Sequence, residues 1–122
     1  STQTPTHAGR VLCISDASAL GNSLALKQLT DREMYPMDAV TFLEENTQLP
    51  LHLREQNKEF EFLMGALADK TKILEQWCES KDLSVYKSIY ITGNSSMVRG
   101  LKNKLKSNLQ ITGKIYTNGF WS

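Results

Sequence analysis

Apolar positions in this chain follow two periods, one near two residues and one near four. Val11 to Ser15, VLCIS, is a short apolar run bounded by turn formers, and its five residues predict a buried strand. Leu20, Leu24 and Leu26 in ALGNSLALKQL then give the apolar side of a helix that Asp16 or Ser18 caps, although Gly21 and Asn22 weaken it. In LTDREMYPMDAVTFLEENTQLP, Thr30 with Glu33 makes a capping-box pattern and Pro36 fits a first helical turn. Val40, Phe42 and Leu43 are the apolar patch of the short helix this predicts.

From Leu53 to about Ser80, residues Phe60, Leu63, Leu67, Leu74 and Trp77 recur at three-, four- and seven-residue steps with charges between them, which predicts one long helix. SIYITG, rich in β-branched and aromatic residues, reads as a half-buried or edge-protected strand. Gly93 to Ser96 turn the chain. Met97, Val98, Leu101, Leu105 and Leu109 space a further helix, and KIY makes a last short strand.

The expected order is therefore β-α-α-α(long)-β-α-β, an α/β fold in which helices cover a small sheet. With 122 residues the chain has the length of one domain, over residues 11–122, behind a polar lead-in over residues 1–10. The apolar runs are too short to cross a bilayer. A net charge of +1 supplies no global attraction to nucleic acid or anionic lipid. Cys13 and Cys78 stand apart in apolar contexts, as buried thiols do, without the spacing of a redox or metal site.

Catalytic and cofactor motifs are missing. His7 and His52 have no nucleophile or acid at a useful spacing, and no phosphate-loop, GxGxxG or zinc-type pattern occurs. Glu44 with Glu45, and Glu59 with Glu61, stand at adjacent or alternate helical positions and point apart, as solvated carboxylates do. Arg99, Lys102, Lys104, Lys106 and Lys114 surround one helix whose C-terminus they complement, so nucleic-acid binding is not expected.

Two positions retain a mechanism. Gly93, opening a turn from strand to helix, lets backbone N–H groups approach a phosphate, while Asn94, Ser95 and Ser96 serve equally as cap residues. Asp16 follows a strand, where it either faces a metal-bound phosphate or caps a helix.

VYKSIYITGNSSMVRGLKNKLKSNLQITGKIYT resembles the closing segment of the actin-like, ribonuclease-H-like ATPase-fold modules of type IV pilus and type II secretion assembly, the PilM and GspL families. The resemblance rests on a helix leading to SIYITG, then Gly93, Ser95, Met97, Val98, Gly100, Leu101 and KIY, over roughly Phe60 to Tyr116. Asn94 stands where those families carry a second glycine. The resemblance implies a degenerate nucleotide site at Gly93, Asn94 and Asp16 with no bound cofactor. It implies a non-catalytic scaffold on the cytoplasmic side of the bacterial inner membrane, reaching the membrane through a segment outside this chain and docking pilus or secretion components that include a cytoplasmic ATPase. Exposed aromatic anchors for such partners would be Tyr35, Phe42, Phe120 and Trp121, with core packing the alternative for Phe42. The alternative function is an ATP-binding actin-like or kinase-like module.

Overall fold

The computed structural model describes residues 9–32, 36–48, 55 and 60–120. In chain order the described elements are β1 (Arg10–Asp16), α1 (Leu20–Arg32), β2 (Met37–Glu44), β3 (Phe60–Gly65), α2 (Lys70–Glu79), β4 (Tyr86–Asn94), α3 (Ser95–Lys106) and β5 (Lys114–Phe120). Single 3-10 turns at Ala17–Ala19, Leu67–Asp69 and Leu83–Val85 lead into α1, α2 and β4. The strands form one five-stranded sheet in the order β3-β2-β1-β4-β5, and every neighbouring pair is parallel. Parallel neighbours need crossovers, which α1 supplies between β1 and β2 on one face and α3 between β4 and β5 on the other. The protein is an α/β structure with a parallel sheet flanked by helices.

Alternation along the strands divides the core in two. Val11 and Cys13 of β1, Met37 and Ala39 of β2 and Tyr90 of β4 face one side with Leu26 of α1. Leu12, Ile14, Val40, Phe42, Ile89 and Ile91 face the other, where Leu74 of α2 and Met97 and Leu101 of α3 close over them. Side chains such as Leu12, Ile14, Ile89 and Leu101 are wholly buried, each contributing about 1.5–3 kcal/mol of transfer free energy. At the amino ends of the strands, Asp38 accepts from Arg10 Nε at 2.8 Å and from the Tyr86 hydroxyl at 2.6 Å. This cluster ties β2 to β1 and β4 at the end away from the crevice described below.

The expected element order is corrected in its middle. Residues 37–44 are not a helix but β2, whose burial on both faces leaves only Asp38 and Glu44 less than fully buried. Val40, Thr41 and Phe42 are strand formers, and a strand inside a parallel sheet shows an unbroken apolar run instead of alternation. Thr30 does not cap a helix start. It is buried near the end of α1, its hydroxyl donating back to the Lys27 carbonyl at 2.9 Å.

The long helix expected from Leu53 to Ser80 is also corrected. Its first part falls mostly on residues outside those described, and Phe60–Gly65 is β3. In FEFLMG the Phe60 and Phe62 rings, 6.4 Å apart between centroids, share the α1 face in period two. The helical spacing from Phe60 to Leu67 is a coincidence of two elements, and Leu67 is 56% exposed. Helix α2 keeps only the second half of the pattern, including Leu74 and Trp77. SIYITG is a strand, as expected, but a buried one instead of half-buried, enclosed in β4 between β1 and β5. Leu109 lies beyond the end of α3 and is 97% exposed. The expected first strand, the helix after it, the helix from Ser95 and the closing strand are present.

Candidate functional site

The order of strands reverses at β1. From this strand the chain runs outward through β2 and β3, then returns to place β4 and β5 on the other side. Connections leaving β1 and β4 pass to opposite faces, so a crevice opens between their carboxyl ends, the place where parallel α/β sheets hold ligands. The sequence sets Ser15-Asp16-Ala17-Ser18 at one lip and Thr92-Gly93-Asn94-Ser95 at the other.

Asp16 is the centre of this crevice. Its Oδ1 accepts from the Ser18 N–H at 3.0 Å and the Ser18 hydroxyl at 2.5 Å, and its Oδ2 accepts from the Asn94 N–H and the Lys70 ammonium, both at 3.0 Å. The Asp16 side chain is 5% exposed and that of Lys70 14%. Burial acts to raise the Asp16 carboxyl, but Ser18, the Asn94 N–H and Lys70 outweigh it and hold the group ionised below the usual carboxylate range.

Gly93 permits this approach. It has φ +146°, and a Cβ there would lie 2.6 Å from Asp16 Oδ1 and 2.8 Å from Met97 Cε. Asn94 caps α3, its Oδ1 accepting from the N–H groups of Ser96 at 3.0 Å and Met97 at 3.3 Å. The Ser95 hydroxyl donates to the Phe120 carbonyl and closes β5 against the start of α3. On the α1 side, Asn22 donates to the Thr92 hydroxyl at 3.3 Å. Both cap readings of the sequence are therefore present, since Asp16 caps the Ala17–Ala19 turn and Asn94 caps α3.

Beside Asp16 lies a cleft of about 300 Å³. That volume lies at the small end of ligand pockets and suits one nucleoside-sized group. Its apolar walls are Phe42, from β2, and Leu67. Asp16, Glu44, Lys70 and Asn94 supply polar groups, so among the described residues the lining carries two carboxylates and one ammonium. Ser15, behind the lip, is held by the hydroxyls of Thr41 and Ser23, each at 2.9 Å, which fixes the end of β1 to β2 and α1. Among the described residues no group of three or more His, Cys, Asp or Glu side chains is placed to hold a metal.

The structure thus brings together Asp16, Gly93 and Asn94. Phe42 is 1% exposed and packs in the core behind the cleft, so it is corrected as a surface anchor. Phe120 is 36% exposed at the end of β5, while Tyr35 and Trp121 lie outside the described residues. Sequence reasoning missed Lys70 and Glu44. Lys70 falls inside the expected long helix but opens α2, and Glu44, expected as a solvated helical carboxylate, ends β2. An acidic residue closing a strand after the first helix was the signal that would have singled it out.

No family model matches this chain, and no curated protein matches it in sequence. Solved structures do match in fold. One is full-length CYP116B46 from Tepidiphilus thermophilus, with TM-score 0.68 and 14% identity, covering 95% of this chain and 15% of that one. Another is the ferredoxin reductase in carbazole 1,9a-dioxygenase, an FAD apo form, with TM-score 0.60 and 16% identity, covering 96% of this chain and 37% of that one. The chain thus spans 15% of the length of the first of these proteins and 37% of the second. Among the described residues no helix is long and apolar enough to cross a membrane.

Proposed function

We propose that this domain binds a nicotinamide dinucleotide and serves as the nucleotide-binding part of a flavin-linked oxidoreductase. The observation that carries the reading is the crevice at the reversal of a wholly parallel β3-β2-β1-β4-β5 sheet, with a nucleoside-sized cleft opening from it over β2. The redox character of the two proteins similar in fold supports it. Adenosine enters the cleft against Leu67, over a floor that includes the buried Phe42. The pyrophosphate crosses the crevice beside Lys70, whose ammonium has three donors and gives one to Asp16. The nicotinamide reaches the ends of β4 and β5, near Thr92 and Phe120. In this reading the chain binds and orients the dinucleotide, and the flavin that takes the hydride is held by another domain.

Asp16 separates this crevice from a glycine-rich phosphate cradle. It already occupies the N–H groups of Ser18 and Asn94, and Asn94 occupies those of Ser96 and Met97. The dinucleotide is therefore held mainly by its adenosine and by Lys70, and its affinity falls with added salt. Calorimetric titration with NADH, NADPH and ATP with magnesium tests the proposal. Saturable binding of a nicotinamide dinucleotide, weakened tenfold or more by Lys70→Met, is the expected result. Binding of ATP alone would support the kinase-like alternative, and binding of none would overturn the reading.

The actin-like scaffold reading rests on the β4–α3–β5 segment, and neither the fold nor the similar structures bear on a role in pilus assembly. In that reading the cleft is a vacant relic and the domain a docking platform at the inner membrane. It predicts no nucleotide binding together with a pilus or secretion component captured by this domain.

A further inference from the structure

We infer that Asp16 is an internal competitor for the phosphate of the nucleotide: its Oδ2 sits in the seat of a phosphate oxygen, and a nucleotide phosphate takes that seat only when the carboxylate gives way. The inference rests on the dinucleotide reading above and adds what limits the affinity of that site.

A carboxylate that only caps a turn needs less than Asp16 has. Asp82 is the simpler case: exposed ahead of the Leu83–Val85 turn, its Oδ1 accepts from the Ser84 N–H at 3.1 Å and the Ser84 hydroxyl at 2.5 Å. Asp16 Oδ1 repeats those two bonds with Ser18, at 3.0 and 2.5 Å. Capping is complete with that oxygen. Oδ2 serves a different pair, the Lys70 ammonium from α2 and the Asn94 N–H from the end of β4, each at 3.0 Å. An ammonium beside a backbone N–H at the start of a helix is a donor set that suits a phosphate oxygen.

The space around Oδ2 admits one anion. Asp16, Lys70 and Asn94 all line the cleft of about 300 Å³, so a phosphate attached to a nucleoside there arrives at the same donors. Gly93 leaves the room, since a Cβ at that position would lie 2.7 Å from Asp16 Cγ, the place a phosphorus would take. The Lys70 ammonium has three donors and can hold both acceptors, but the Asn94 N–H is a single donor. With the carboxylate in place, a phosphate meets a like charge and forgoes the N–H, which near a protein surface lowers its affinity by about tenfold or more.

Titration of the whole chain with adenosine, ADP and NADH tests this without any redox partner. Asp16→Ser removes Oδ2 but keeps a hydroxyl of the kind that caps helices, so the turn into α1 should survive, with wild-type far-ultraviolet dichroism as the check. The variant should bind ADP and NADH about tenfold or more tighter than wild type, while adenosine, which brings no phosphate, should bind both forms alike. In the wild-type chain, saturation with ADP should shift the Asp16 carboxyl-carbon and Asn94 amide resonances further than saturation with adenosine does. That second measurement decides the matter if the variant does not fold. Equal shifts with the two ligands, or a folded variant that binds ADP and NADH no more tightly than wild type, overturn the inference and leave the dinucleotide reading standing. Binding of none of the three ligands by any folded form overturns both.

Discussion

The Lys70 ammonium donates to Oδ2 of Asp16 at 3.0 Å across 54 positions of sequence, joining the first residue of α2 to the last of β1. Asp16 is the more buried partner and also satisfies the N–H groups of Ser18 and Asn94. Removing the carboxylate with Asp16→Ala strands an ammonium and two backbone donors, and should cost about 3–5 kcal/mol. Lys70→Met leaves the carboxylate with its other donors, so its cost should be nearer 1–3 kcal/mol. Urea melts should show both as lower midpoints at unchanged slope. A cost for Lys70→Met equal to that for Asp16→Ala would mean that the backbone donors contribute little.

Stability should fall at both ends of the pH range, for opposite reasons. Burial acts to raise the carboxyls of Asp16 and Asp38, but their hydrogen-bond partners outweigh it and hold both below the ordinary value of 3.8. Protonation therefore favours the unfolded chain, and the stability they provide is present above the ordinary carboxylate range and lost as pH falls through the lower folded values. Tyr86 and Tyr90 behave oppositely. Burial pushes both phenols up to about 12 from 10, so their contribution is complete below pH 10 and is lost as pH rises toward 12. A plateau between roughly pH 5 and 9 is expected in urea midpoints, with Asp38→Asn flattening the acid limb. An acid limb unchanged by that substitution would assign it to other groups.

Two glycines should respond in opposite directions to the same change. Gly93→Ala places a methyl group 2.6 Å from Asp16 Oδ1 at a φ of +146°, and should cost roughly 1–3 kcal/mol from the backbone alone, with the clash in addition. It should also weaken dinucleotide binding by moving the Asp16 lip. Gly21→Ala lies in α1 with nothing within 4 Å of the new methyl, and should stabilise by about 0.5–1 kcal/mol. Thermal midpoints of the two variants against wild type provide the comparison. A neutral Gly93→Ala would show that Asp16 can retreat from β4 without loss.

The ends of this fold were more legible in the sequence than its middle. VLCIS was short and bounded, and the helix from Ser95 had Asn94 as a cap and a clear apolar stripe, so local pattern and tertiary position agreed. Residues 37–44 and 60–65 depart from the expected helices because a strand covered on both faces loses its alternation, and because Phe60, Leu63 and Leu67 mimic a helical face across a strand and a turn. The crevice was half legible. Asp16 and Gly93 could be selected because each adjoins a predicted strand, but their contact depends on β1 and β4 being neighbours, which no local pattern states. Glu44 and Lys70 stayed hidden because Glu44 ends a strand expected as a helix and Lys70 begins α2 inside the expected long helix.

The two thiols should be silent in the folded protein. Burial pushes Cys13 up to about 11, against a hydrogen bond with Ser23 that acts the other way, and burial with Glu75 and Glu79 nearby pushes Cys78 up to about 12. Both are free, Cys13 in the cluster under α1 and Cys78 in the one under α2 and α3. Only the thiolate reacts, so at pH 8 the native protein should resist a disulfide reagent over minutes, while the chain in concentrated guanidinium should label at both positions at once. Because the cysteines lie on opposite faces of the sheet, their separate labelling rates in dilute urea report the opening of each face. Equal rates would show that the sheet opens as one unit. Faster labelling of Cys13 would place the weaker packing on the α1 side, where a single described helix covers the sheet.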